Sequence, residues 1–254
     1  MFLIPASSYR IKTTKHKGRG VFAMRDLPTG TVIGDYLGTI IRPYTNDEKK
    51  NGLYDMQGGL HYDIMGDRTK IGIPLINHAC ANNCELYPYR GGHVLYVALR
   101  KIFKGEELTV NYGIGVQDEK DIPCSLHVCR CGSKICTGTM HTAEDNFEAW
   151  YRHWESLLKK NFGAWYGKVP GKYGAQLAPL GSYPDFIDVQ KVKLYDPSIF
   201  GSEMLPVAVY KDEVLPRLPE LKKLIRETGR RLSFPKLHLV IDGVRSNILL
   251  AERK

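Results

Sequence analysis

The chain has 254 residues, of which 43% are apolar and 25% charged. That length holds one large domain or two small ones and buries a core without disulfide support. No apolar run approaches the length of a membrane span, and the apolar start Met1–Ala6 is too short and lacks the preceding basic residues of a signal peptide. The six cysteines therefore read as thiols or metal ligands in a reducing, intracellular compartment, cytoplasmic or nuclear, and not as a disulfide framework. The net charge of +9 is spread evenly, with 18 basic against 13 acidic residues in 1–141 and 18 against 14 in 142–254. Without a basic tail or a clustered stripe it describes a solvated surface, and nucleic-acid binding stays a secondary reading.

In chain order, Tyr9–Lys12, Gly20–Ala23 and Thr31–Tyr36 are short strand candidates separated by turn residues such as Pro28-Thr29-Gly30. Residues 42–61 are polar and rich in Lys, Asp, Asn and Gly, the composition of an insert between strands. Val94–Leu99 and Leu108–Tyr112 are further strands around the turn Lys104-Gly105-Glu106. After a run of cysteines, Thr142 and Asp145 form a capping-box pattern that opens a helix. Its apolar residues Phe147, Trp150, Tyr151, Trp154, Leu157 and Leu158 share one face, which reads as packing onto the preceding domain. Asn161 to Pro184 reads as loop. Gly163–Lys168 is one residue too short for a phosphate-binding loop, and Val169 stands where a hydroxyl should hold magnesium. Met204–Tyr210 suggests a strand, Pro219–Thr228 a helix closed by Gly229, and Leu237–Leu250 a hairpin turning at Asp242-Gly243.

Chemistry concentrates in four segments: Gly18–Ala23, Asp35–Ile41, Asn77-His78-Ala79-Cys80-Ala81-Asn82-Asn83-Cys84, and Glu106–Gly113, followed by Cys129-Arg130-Cys131-Gly132-Ser133-Lys134-Ile135-Cys136. In this order and spacing they resemble the SET-domain protein-lysine methyltransferases. The resemblance implies a mainly β SET fold, of small sheets with a pseudoknot-like thread, over residues 9–113. A post-SET zinc segment at 124–140 and a C-terminal α+β appendage at 141–254 of unassigned role would follow. The cysteine array of a pre-SET module is absent before Gly18.

Cys129, Cys131 and Cys136 supply three thiolates, while a closed tetrahedral zinc site takes four, so one ligand must come from elsewhere. The resemblance assigns it to Cys84, the second cysteine of the Asn-His motif, and leaves Cys80 packed and unligated. Cys124 is an alternative ligand, and His127 and His141 flank the cluster as surface histidines.

Methyl transfer to an amine is an in-line displacement, so it demands alignment more than acid–base power. By resemblance Tyr112 is the catalytic tyrosine that orients amine and methyl group, and Tyr36 is a second aromatic wall. S-adenosyl-L-methionine would lie against Gly18, Arg19 and Gly20 and be held by Asn77, His78 and Tyr112. The chain departs from the family at Pro74-Leu75 before Ile76-Asn77-His78, at Ala79 and at Asn82. The implied function is methylation of the lysine ε-amine in a protein or peptide, histone tails being the family's best-known targets, with no membrane partner. The alternative is a catalytically degenerate, zinc-containing SET-type binding module.

Overall fold

A computed structural model describes residues 1–28, 30–89, 91–115, 125–133, 136–141 and 166–179, together with 152, 155, 156, 158 and 159. The strand, helix and hairpin expected in residues 204–250, the capping pair Thr142 and Asp145, and Cys124 lie outside the described residues.

The first apolar segments form β1 (Tyr9–Thr13) and β2 (Arg19–Ala23), an antiparallel pair in which Ile11 faces Val21. A second sheet takes β3 (Val32–Asp35), β9 (His93–Ala98) and β8 (Cys84–Tyr89) in the order β3-β9-β8. The central strand β9 is buried along its whole length. Side chains alternate across a strand, so Val94, Tyr96 and Ala98 enter the main core, and Leu95 and Val97 meet Val32 on the opposite face. Pro88 is accommodated in β8 because that strand lies at the sheet's edge, where a missing N–H leaves no ladder bond unmade.

The third sheet, in the order β4-β6-β5, comprises β4 (Gly38–Ile41), β5 (Asp55–Gln57) and β6 (Asp63–Gly66). The polar insert holds a single helical turn, α1 (Glu48–Asn51). It is capped by the Asp47 carboxylate, which accepts the Lys50 N–H at 3.3 Å, and it ends at Gly52 with φ 76°.

The fourth sheet is the smallest: β7 (Asn77–His78) runs parallel to β10 (Thr109–Val110). Residues 79–83 then wrap β10. The Ala79 N–H donates to Val110 O, the Thr109 N–H to Asn83 Oδ1, and Asn83 Nδ2 to Glu107 O at 2.8 Å. Two segments thirty residues apart in sequence are thereby locked side by side. The described residues are mainly β with few helical turns, as expected for a SET fold. Among them no helix is long and apolar enough to cross a membrane. Residues 152, 155, 156, 158 and 159 are helical, and Leu158 is fully buried against the main core.

Candidate active site and thiol centre

The β7–β10 pairing brings Asn77 and His78 to Tyr112. His78 is buried, and its Nδ1 accepts the Tyr112 N–H at 3.2 Å, which fixes this tyrosine two residues past β10. The two rings meet edge to face, with centroids 5.4 Å apart. The Tyr112 hydroxyl donates to Ile76 O at 3.2 Å.

Two cavities meet at this tyrosine. The larger, about 510 Å³, is bordered by Tyr36, Leu86, Tyr96 and Tyr112 at its inner end and by Tyr44, Glu48 and Leu60 farther out. The smaller, about 280 Å³, is bordered by Lys17, Arg19, Tyr54, Asn77, His78, Cys129 and Arg130. Tyr112, Glu48, Leu53 and Pro74 border both. Tyr36 lies in the wall of the larger one, stacked on Tyr96 at 6.2 Å, with its hydroxyl donating to Tyr54 O at 2.6 Å. Burial pushes the hydroxyls of Tyr36, Tyr96 and Tyr112 well above the ordinary phenol value. All three stay protonated near neutral pH, and the Tyr36 and Tyr112 hydroxyls act as donors, not as bases.

Of the glycine tripeptide, Arg19 borders the smaller cavity, and its guanidinium donates to Arg68 O at 2.6 Å. Gly18 is required by its backbone, at φ 70°. Gly20 is required by close packing: a Cβ there would come within 2.6 Å of Glu107 Oε1 and 2.8 Å of Asn77 Nδ2. The bare backbone of Gly20 therefore serves a polar network inside the fold. Asn77 Nδ2 donates to Arg19 O at 3.0 Å and to Glu107 Oε1 at 2.8 Å, and Lys17 pairs with the other Glu107 oxygen at 2.5 Å. Sequence reasoning gave Glu107 and Lys17 no role. Their separation by ninety residues hides the pair from any local pattern.

The thiol centre corrects one sequence expectation. Cys80, Cys129, Cys131 and Cys136 place their sulfurs within 4.8 Å of one another, with Cys80 and Cys129 at 3.6 Å. Cys84 is not among them. It opens β8, is fully buried in the main core, and donates its thiol hydrogen to Asn83 Oδ1 at 3.4 Å. Burial pushes that thiol up to about 12, the opposite of what a thiolate ligand needs. Cys80, read as a packed bystander, lies in the wrap that faces the cysteine segment.

Hydrogen bonds from Cys129 and Cys131 hold Cys80 far below the ordinary thiol value, whereas Cys129, hydrogen-bonded to Cys131 and Cys80 as the protonated partner, is pushed up. Four thiolates around a tetrahedral zinc, at Zn–S of about 2.3 Å, stand roughly 3.8 Å apart. The gathered sulfurs, all within 4.8 Å of one another, come near that spacing, so the cluster could hold one zinc ion. The segment closes on itself through Cys129 N–H to Gly138 O at 3.0 Å and Cys136 N–H to Ser133 O at 2.9 Å. His78 Nε2 lies 3.7 Å from Cys80 Sγ, so one imidazole touches both Tyr112 and the thiol centre.

His127 and His141, read as surface histidines, join an ordered chain. Glu48 Oε2 lies 2.8 Å from His127 Nε2, His127 Nδ1 lies 2.7 Å from His141 Nε2, and His141 Nδ1 donates to Gly115 O at 2.6 Å. This clasp joins α1, the segment after Tyr112 and both ends of the cysteine segment.

Residues 18–113 match the SET domain family. Over 132 residues, 47% of this chain and 3% of the relative, the sequence is 36% identical to histone-lysine N-methyltransferase trithorax of Drosophila virilis. It is 32% identical to human histone-lysine N-methyltransferase 2B over 131 residues, 47% of this chain and 5% of that protein. The histone-lysine N-methyltransferase, H3 lysine-36 specific, of Mycosarcoma maydis is 32% identical over 142 residues, 51% of this chain and 14% of its own length. The chain thus spans between 3% and 14% of the length of these relatives. Residues 18–113 of this chain thus match the SET domain model, and the sequence shares 32–36% identity with histone-lysine methyltransferases over about half of the chain.

Proposed function

We propose that this chain methylates the ε-amine of lysine in a protein substrate, with S-adenosyl-L-methionine as donor and one structural zinc. The observation that carries the reading is the meeting of two cavities at Tyr112, which suits a donor on one side and a lysine side chain on the other.

The smaller cavity fits the donor by its chemistry. Lys17, Arg19 and Arg130 suit an amino-acid carboxylate, and Leu126, Val128 and Met140 offer apolar surface to a base. When bound, the donor supplies an electrophilic methyl carbon on a sulfonium. A neutral lysine nitrogen would give its electron pair to that carbon as the carbon–sulfur bond breaks, and the proton of the product amine would go to solvent.

The chain's own part is positional. Tyr36, Tyr96 and Tyr112 wall the inner end of the larger cavity, and the Tyr112 hydroxyl is held by Ile76 O. Such a wall removes water and aligns the amine, the main requirements of an in-line displacement. The four-thiol centre supports the reading by closing the smaller cavity through Cys129 and Arg130.

The test is transfer of labelled methyl from S-adenosyl-L-methionine to lysine in protein and peptide arrays, with donor affinity measured separately. Labelled lysine bears the reading out. Tight donor or peptide binding with no label on any substrate replaces it with a SET-type binding module that does not turn over.

A further inference from the structure

The chain leaves β4 through Arg42-Pro43-Tyr44-Thr45, a turn in which the Thr45 hydroxyl donates to Arg42 O at 2.7 Å. Tyr44 sits at φ 59°, and among the described residues no other non-glycine has a positive φ. After a proline in such a turn glycine is the usual choice, because a Cβ makes the left-handed conformation costly. The fold does not offset that cost through the side chain: Tyr44 is 97% exposed. Strain maintained for a ring that touches almost nothing directs attention to what the ring meets when the protein is at work.

Tyr44 borders the larger cavity. Asp63, on β6, lines the same cavity. Asp55 and Glu48 also line it, and no Lys or Arg stands among the described residues of the lining, although the chain carries a net charge of +9. Two of these carboxylates are engaged: Glu48 by His127, and Asp55 by Asn46 Nδ2 at 2.8 Å. Asp63, half-buried beside an exposed aromatic ring, completes an acidic and aromatic corner.

We propose that Tyr44 and Asp63 form a subsite for a basic side chain, best an arginine, that flanks the lysine entering the cavity. This rests on the proposed function only in taking the larger cavity as the substrate groove. A guanidinium stacks on a tyrosine face and pairs with a carboxylate in one pose, a combination that a neutral side chain does not reproduce. Burial and the nearby Asp55 push the Asp63 carboxyl up to about 6, a penalty that an incoming cation relieves.

The experiment uses the zinc-loaded protein and a lysine-centred peptide library in which each flanking position carries Arg, Lys, Gln or Glu. Binding is read by fluorescence anisotropy and methyl incorporation by labelled donor. Arg at one flanking position should bind at least tenfold tighter than Gln. That preference should shrink to within twofold in Tyr44→Gly and in Asp63→Asn and survive in Tyr44→Phe, which keeps the ring. Tyr44→Gly should melt at or above the native temperature, so its loss of preference cannot be put down to misfolding. A native protein without basic preference, or a preference intact in both Tyr44→Gly and Asp63→Asn, overturns the subsite. Basic preference in binding without methyl incorporation supports the subsite and overturns the transferase reading; incorporation indifferent to flanking charge does the reverse.

Discussion

Tyr112 differs from the buried tyrosines Tyr36 and Tyr96 in bordering both cavities while its hydroxyl rests on Ile76 O. Tyr112→Phe deletes one oxygen and keeps the ring packed against His78, so donor affinity should stay within about twofold. Methyl transfer should fall about a hundredfold, roughly 2.7 kcal/mol of barrier. Single-turnover kinetics beside equilibrium donor binding checks this, and near-native transfer would make the residue structural. At Asp63 the sign of the pH effect follows from a carboxyl raised to about 6. Its neutral form favours folding fully below the ordinary value of 3.8, and that contribution is lost as pH rises through about 6. Ionisation over the same window creates the charge that a cationic peptide needs. Asp55 from β5 faces this group, and Asp55 in turn feels Glu48 and His127. Peptide affinity should therefore rise between pH 5 and 7 in the native protein and stay nearly flat in Asp63→Asn, read by anisotropy so that lysine deprotonation during transfer does not enter. The sequence made Asn77, His78 and Tyr112 legible because each belongs to a compact motif. Tyr44 was not legible, since its left-handed backbone is a property of the folded turn. Nor could the sequence tell Cys80 from Cys84: residues 79–83 are irregular, so no strand alternation reveals which thiol faces the core.

At the scale of elements, the cysteine segment and α1 depend on each other. A helix of four residues cannot persist alone. The Glu48–His127 contact and the donation from Arg68 to Lys50 O at 3.0 Å position α1. Zinc content should follow the gathered thiols: about one ion per chain in native protein and in Cys84→Ser, and loss in Cys80→Ser, measured by elemental analysis. Retention in Cys80→Ser together with loss in Cys84→Ser would restore the original assignment. Glu48→Gln weakens the clasp at its carboxylate end without touching a thiol. It should speed amide exchange in residues 48–51 and 113–115 severalfold while zinc stays bound, whereas unchanged exchange would mean that the clasp positions nothing. The strands at 9–12, 20–23, 31–36 and 94–99 were legible from alternation and turn residues, and they became β1, β2, β3 and β9 within one or two residues. The expected strand 108–112 shrank to the two residues Thr109–Val110, because its partner β7 is equally short and the chain must then turn to present Tyr112. β8 was missed because Pro88 argues against a strand until its edge position is known.

The whole molecule extends past the SET domain in a way that local motifs do not announce. Residues 174–177 pair antiparallel along the outer edge of β4: the Gly174 N–H donates to Ile40 O at 2.7 Å, the Ile40 N–H to Ala175 O at 2.9 Å, and the Leu177 N–H to Gly38 O at 2.8 Å. Gln176 adds a side-chain bond to Thr39 Oγ1, and Tyr173 donates to His61 O. The segment read as loop thus covers an edge that would otherwise offer unpaired backbone groups to another chain. It also braces the sheet that carries Asp55 and Asp63 into the larger cavity. Leu177 is its apolar anchor, buried within the main core. Leu177→Ala should cost about 2–3 kcal/mol if the strap opens only together with the sheet, and the melting temperature should then fall by roughly 5–10 °C. If the strap opens by itself, the melting temperature barely moves. The Ile40 amide, whose acceptor is Ala175 O, then exchanges faster while the amides of β9 remain protected. Melting and residue-resolved exchange on the same variant separate the two outcomes. A variant that changed neither would show that these backbone bonds, and not the leucine, hold residues 174–177 to β4.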